Sequence, residues 1–228
     1  IGCAYGTIKL RGERVMNQQQ IGKGKLLIAM PTLNDPNFWQ AVVLLCNYGP
    51  EGALGIVLNR PTEVSVSALI QDFPSLSGTE RIYEGGPVAK NGMLVLCRGN
   101  GSGENNIVGD ISLAKNLESL KEINPSQGSH PSQGSHPPQG AHSLRALDSA
   151  EESDPLMSYS EIRCYLGYAG WMPGQLEAEV KTGTWRTLWA DPTLVFDADP
   201  TVLWPQMMRR LGPEWAFYAT MPSNPSMN

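Results

Sequence analysis

Short apolar runs, each closed within a few residues by Pro, Gly or Asn, constrain this chain more than any other feature. Residues 25–30, 41–48 and 53–58 are rich in Leu, Val and Ile, and they are bounded by Pro31, Asn34-Asp35-Pro36, Gly49-Pro50 and Asn59-Arg60-Pro61. Runs of that length with that punctuation predict buried strands rather than helices. Residues 81–83, 93–97, 161–166, 184–189, 193–196 and 215–219 read the same way. Several connections are too short for a crossover helix, so neighbouring strands must run mostly antiparallel. The expected architecture is α+β: a single domain with an antiparallel-rich mixed sheet and about four helices.

The four helices are read from periodicity and stop signals. Ser112 is placed to cap a segment ending near Asn124-Pro125, in which Leu113, Leu117 and Leu120 recur at helical spacing. A second helix is expected from Thr62 or Glu63 to Asp72, stopped by Pro74. A third spans 174–181, with Leu176 and Val180 one turn apart, Glu177 and Glu179 facing outward, and Gly183 ending it. The fourth spans about 201–211, with Trp204, Met207, Met208 and Leu211 on one face before Gly212-Pro213. Because a proline deep in a helix costs about 3 kcal/mol, Pro205 implies a start at Val202 or later, or a kink.

One segment breaks this pattern. Residues 125–142 are a tandem six-residue repeat, Pro-Ser-Gln-Gly-Ser-His twice and then Pro-Pro-Gln-Gly-Ala-His. With almost no apolar content it offers nothing to offset its ordering entropy, and the polar stretch through Ser158 extends it. The expectation is one domain, 16–124 and 159–222, interrupted by a disordered insert at 125–158, with a flexible tail at 223–228. Residues 1–15 read as a flexible leader or a mis-assigned start, since Met16 directly precedes the first patterned segment.

Composition excludes several function classes. Seventeen Lys and Arg stand against 22 Asp and Glu, a net charge of −5, and the only adjacent basic pair is Arg209-Arg210. A basic face for phosphate neutralisation is missing, which argues against nucleic acid. The apolar runs fall far short of a membrane span. Cys3, Cys46, Cys97 and Cys164 are widely separated, form no CxxC, and read as buried thiols in a reducing, cytoplasmic compartment. All three histidines, His130, His136 and His142, lie in the repeat. The folded part therefore lacks the residue that Ser-His-Asp, Cys-His and most zinc chemistry require. The repeat histidines read as incidental to a linker rather than as a metal tract. There is no GxxxxGK[ST] loop, and Gly99, Gly101 and Gly103 lack the GxGxxG register. No cofactor and no metal are expected.

Three glycine-rich bends remain. Asn59-Arg60-Pro61 ends one strand, and Tyr83-Glu84-Gly85-Gly86-Pro87 sets a carboxylate beside a tight turn. The third, 166–177, runs from a strand into a helix and carries Tyr168, Trp171, Gln175 and Glu177. Glycine permits close approach of a ligand and equally close packing of chain on chain. The candidate ligand-binding cleft comprises Asn59, Arg60, Glu84, Gly85, Gly86, Tyr168, Trp171, Gln175 and Glu177, with no catalytic residue assigned. Arg60 and Glu84 have a second reading as an internal ion pair that fixes two turns. Trp185, Trp189, Trp204 and Trp215 read as core or dimer-contact residues.

Several blocks together resemble the YqgE/AlgH family of small bacterial and plastid proteins. They are Gly24-Lys-Leu-Leu-Ile-Ala-Met-Pro31, Asp35-Pro-Asn-Phe38, Gly52-Ala-Leu-Gly-Ile-Val-Leu-Asn-Arg-Pro61 and Tyr83-Glu-Gly-Gly-Pro-Val88, followed by 166–179, Trp185, 191–197 and 203–212. The resemblance implies a single α+β domain with a partly barrel-like sheet. It also implies a link to transcriptional regulation, from one member associated with control of exopolysaccharide production, but it transfers no catalytic residues. The leading expectation is a cytoplasmic regulatory or binding protein acting through a protein partner or small ligand, of unassigned oligomeric state. The alternatives are a direct DNA-binding regulator and an enzyme using carboxylates such as Glu84 or Glu177.

Overall fold

The apolar runs are continuous because the strands they form are covered on both faces. A computed structural model describes residues 20–69, 81–99, 105–114 and 159–222. The expected leader, insert and tail lie outside the described residues, as does most of the helix expected before Pro125. Strands β1 (Lys25–Ala29), β2 (Val42–Gly49) and β3 (Gly52–Val57) form an antiparallel meander. Leu26, Ile28, Val42, Leu44 and Ile56 point into one core, while Leu27, Ala29, Val43, Leu45 and Val57 point into a second on the opposite face. Two-sided burial removes the usual apolar–polar alternation.

The sheet continues through β4 (Tyr83–Glu84), β5 (Val88–Gly99), β6 (Asn106–Val108), β7 (Ile111–Leu113), β8 (Tyr159–Trp171) and β9 (Trp185–Trp189). Its order is β6-β7-β5-β8-β3-β2-β1-β9, with β4 pairing β8 off that path. The β4–β8 pair is parallel and the other ladders are antiparallel, so the sheet is mixed and antiparallel-rich. The long β8 is the hub: Tyr165 pairs with Leu94 of β5 on one side and with Tyr83 of β4 on the other. Among the described residues the sheet curls without closing. No ladder joins its β6 and β9 ends, yet Gly24 runs so near β6 that a Cβ there would sit 2.9 Å from the Ile107 carbonyl.

Five helices are present among the described residues: α1 (Val66–Leu69), α2 (Gln175–Lys181), α3 (Pro192–Phe196), α4 (Pro200–Leu211) and α5 (Pro213–Ala216). Helices α3 and α4, with Leu194, Val195, Phe196, Trp204 and Met207, fill the concave core, and α2 caps the opposite face with Leu176 and Val180. Gly183, at φ 81°, follows α2 as its stop signal predicts.

Four local expectations are corrected. Residues 193–196 form α3 rather than a strand, because the Asp191 carboxylate accepts the Thr193 amide and Pro192 occupies the first turn. Residues 215–219 form the end of α5 and a 3-10 turn (Phe217–Thr220) rather than a strand. Ser112 caps no helix; it lies in β7, where Leu113 pairs with Leu96 and Ile111 is buried. Helix α4 starts at Pro200, capped by Asp199, which places Pro205 inside it. Lacking an N–H, Pro205 leaves the Thr201 carbonyl without its helical (i+4) donor.

Candidate functional site

Two cavities border the sequence-derived residues. The larger, about 620 Å³, lies between the 33–40 segment, the bend after β3 and the start of α4. Its apolar wall includes Leu33, Pro36, Trp39, Pro200, Trp204 and Pro205, and its polar wall includes Asn34, Asp35, Gln40, Asn59, Arg60 and Thr201. A volume of this size suits a small organic ligand.

Local sequence builds each wall. The Asp35 carboxylate accepts the Asn37 amide at 2.8 Å and starts the 3-10 turn Pro36–Phe38, as Asp199 accepts the Thr201 amide at 2.9 Å and starts α4. Between turn and strand, Gln40 is held at φ 50°, a left-handed conformation that costs about 1–2 kcal/mol outside glycine. Asn59 braces it: its amide donates to the Gln40 carbonyl at 2.9 Å, and its oxygen accepts the Val42 amide at 2.9 Å. Gln40 in turn donates to the Pro222 carbonyl at 2.9 Å. Both ends of the Asn59 side chain are therefore engaged in holding backbone.

Arg60 is half-buried beside this bend, where Nη2 donates to the Trp39 carbonyl at 3.2 Å. Burial pushes its guanidinium below the ordinary value, and the charges of Glu84 and Asp35 oppose that shift. Neither carboxylate lies within 4.0 Å of it, so the ion pair of the second reading is not formed; Glu84 instead meets exposed Lys90 at 3.5 Å. The buried indole N–H of Trp39 has no acceptor among the described residues.

The second bend packs chain on chain. The Glu84 amide donates to the Arg60 carbonyl at 2.8 Å, and the Gly85 amide to Leu166 at 2.7 Å. A Cβ at Gly85 or Gly86 would collide with the backbone of Gly167 or Tyr168. Gly167 itself, at φ 70°, would place a Cβ 2.5 Å from the Gly86 carbonyl oxygen. These glycines give close backbone contact rather than an open cradle.

The third bend divides. Tyr168 and Trp171 line a smaller hollow of about 460 Å³ with Val88, Met172 and Leu54. The Trp171 indole N–H donates to Glu179 Oε2 at 2.9 Å, and Trp185 donates to the same oxygen at 2.8 Å. Gln175 donates to Glu179 Oε1 at 2.9 Å while its own oxygen accepts the Met172 amide at 3.0 Å. Glu179 is thus turned toward the tryptophans, not outward, whereas exposed Glu177 accepts the Tyr48 hydroxyl at 2.6 Å. The three bends are neighbours in the sheet but do not meet at either of these two cavities: Asn59 and Arg60 border the larger, Tyr168 and Trp171 the smaller, and Gly85 and Gly86 neither.

Sequence reading missed Asp35, Trp39, Gln40, Thr201 and Trp204 at the larger cavity. The legible signal was the Asp-Pro pair at both 35–36 and 199–200, each a helix-start device. Among the described residues no group of three or more His, Cys, Asp or Glu is placed to hold a metal ion, and no helix is long and apolar enough to cross a membrane.

These features define a one-domain α+β protein with an open, curled sheet and a cleft between a loop and a helix start. The chain belongs to the AlgH-like family, whose model matches residues 26–135 and 139–216, with the break inside the hexapeptide repeat. A UPF0301 protein of Streptomyces coelicolor is 36% identical over 214 residues, covering 90% of this chain and 94% of its own. One from Thermobifida fusca is 35% identical over 209 residues, covering 90% and 94%. A Corynebacterium diphtheriae crystal structure shares the fold with a TM-score of 0.65 at 22% identity, covering 90% of this chain and 95% of its own. The solution structure of the AlgH protein from Pseudomonas aeruginosa matches with a TM-score of 0.58 at 26% identity, covering 93% and 98%.

Proposed function

We propose that this chain is a cytoplasmic binding protein with a regulatory role, acting through a small ligand held in the cavity beside Arg60. The observation that carries this reading is a half-buried guanidinium with no carboxylate within 4.0 Å among the described residues, set in a wall of a cavity of about 620 Å³. A desolvated cation is costly, and a site that keeps one gains when a ligand supplies the missing partner. The strained backbone at Gln40 supports the same location, since strain of this kind concentrates where binding geometry matters. The free, buried thiols of Cys46, Cys97 and Cys164 fit a reducing compartment.

Direct DNA binding has no comparable support, because the net charge is −5. The experiment is a thermal-shift screen of a metabolite library against the full chain and Thr201→Phe, which enlarges a side chain bordering the cavity. A ligand that raises Tm for the parent and not for a folded Thr201→Phe is the expected result. Hits that stabilise both proteins equally would place the binding site elsewhere.

A further inference from the structure

The chemistry of the cavity wall narrows what it can hold, on the reading that the cavity is the binding site. Arg60 presents a planar fork of N–H donors, of which only Nη2 has a described acceptor, the Trp39 carbonyl at 3.2 Å. The two carboxylates whose charge reaches it lie beyond 4.0 Å: Asp35, on the same cavity wall, accepts the Asn37 amide at 2.8 Å, and Glu84 meets Lys90 at 3.5 Å. Trp39, on the same wall, adds an indole N–H that meets no acceptor among the described residues. Pro36, Pro200 and Pro205 add apolar surface to the same cavity. Thr201 and Pro205 also border the cavity, and Pro205 denies the Thr201 carbonyl its (i+4) amide partner.

We infer that this cavity takes a small organic oxyanion, a carboxylate or phosphate on a flat apolar body, with the oxyanion on the Arg60 guanidinium and the body against Trp39 and the prolines. A guanidinium fork matches either oxyanion bidentately, and charge-assisted bonds of this kind are about twice as strong as neutral ones. The flat walls give the body its affinity, so a bare anion binds poorly.

Matched probes test this on the full chain by calorimetry, with the Trp39 indole N–H followed by NMR. Indole-3-acetate should bind at least about tenfold more tightly than indole-3-acetamide, which has the same body without the charge. Phenyl phosphate should likewise exceed inorganic phosphate. The tighter of phenylacetate and phenyl phosphate, which share the phenyl body, identifies the head group as carboxylate or phosphate. Arg60→Gln should reduce binding of the organic anions about tenfold or more, and Arg60→Lys, which keeps the charge without the fork, should restore part of it. Equal affinity for the acetate and the acetamide, or an undiminished affinity in Arg60→Gln, overturns the oxyanion class while leaving the cavity as a ligand site. Inorganic phosphate binding as tightly as phenyl phosphate overturns the apolar body. Failure of every probe to bind or to move the Trp39 signal overturns both the inference and the proposed site. The acetate–acetamide comparison uses the unmutated protein, so it stands even if Arg60→Gln does not fold.

Discussion

Replacing Glu179 tests whether the bend at 166–177 is a ligand site or a structural clasp. One carboxylate oxygen accepts indole N–H groups from Trp171 at 2.9 Å and Trp185 at 2.8 Å, and the other accepts Gln175 at 2.9 Å. Both tryptophans are buried, 7% and 1% exposed, and stand edge to face with centroids 6.0 Å apart. A hydrogen bond to a charged group contributes about 1.5–3 kcal/mol and a neutral one about 0.5–1.5, so Glu179→Gln loses roughly 1 kcal/mol at each indole. It also sets an amide donor against the Gln175 donor. Gln175 cannot simply flip, because its oxygen already accepts the Met172 amide at 3.0 Å. Glu179 is itself only partly buried, which discounts the sum to about 2 kcal/mol. Glu179→Ala leaves two buried indole donors without acceptors and costs about 3–4 kcal/mol.

The assay is equilibrium urea unfolding followed by tryptophan fluorescence, with the two indole N–H resonances tracked by NMR. The expected result is a lower midpoint at constant m-value, and upfield movement of both resonances. Glu177→Gln is the control. It touches only the exposed Tyr48 hydroxyl and should change stability by less than about 0.5 kcal/mol. If Glu179→Gln matched the control and left both resonances in place, the clasp would be refuted, and Trp171 and Gln175 would return as candidate ligand groups.

Other consequences can be checked in the same way. Arg163, 7% exposed, donates to the Val195 and Phe196 carbonyls at the end of α3 at 2.7 and 2.6 Å, so Arg163→Met should cost about 2 kcal/mol and speed amide exchange around residues 196–198. An unchanged exchange rate there would show that the helix end does not depend on the guanidinium. Gly167→Ala meets the Gly86 carbonyl oxygen at 2.5 Å and should destabilise by at least about 2 kcal/mol. Gly174→Ala, at a similar φ of 76° but with open space around it, should cost only about 1 kcal/mol, and equal losses at the two sites would contradict the packing argument. Burial raises the thiols of Cys46, Cys97 and Cys164 to about 12 in the folded state. An unfolded thiol titrates near about 8.5, so this stability is intact below that pH and is lost as pH rises toward the folded value, by about 1.4 kcal/mol per pH unit and thiol. Unfolding free energy measured from about pH 8 to 10.5 should therefore fall steeply, and Cys97→Ala should make the fall shallower. A flat profile would contradict the burial of these groups.

The division between what was legible in the sequence and what was not follows the range of the interactions. β1, β2 and β3 could be read because both faces are buried and the runs end at Pro or Gly within the strand's own neighbourhood. Helices α3 and α5 were misread as strands because short apolar segments carry no period, yet Asp191-Pro192 in front of α3 was a local start signal of the kind also found at Asp35-Pro36 and Asp199-Pro200. The three bends were legible as bends, but their glycines answer to segments about 80 residues away, Gly85 and Gly86 against Gly167 and Tyr168, and which groups the bends leave free also depends on partners elsewhere. Glu179 looked outward by helical spacing, and its inward turn requires Trp171 and Trp185 to meet on one face. Asn59 looked like a ligand amide, and only the register of β2 against β3 shows that it holds the Gln40 and Val42 backbone. At the cavity the separation is greatest: Arg60 borders one cavity with Thr201 and Trp204 across more than half the chain because α4 is anchored there, its Trp204 indole donating to the Ala29 carbonyl at 2.8 Å. Residue chemistry therefore identified Arg60 as a candidate, and the packing of α4 decides that Pro200, Thr201, Trp204 and Pro205 border the same cavity.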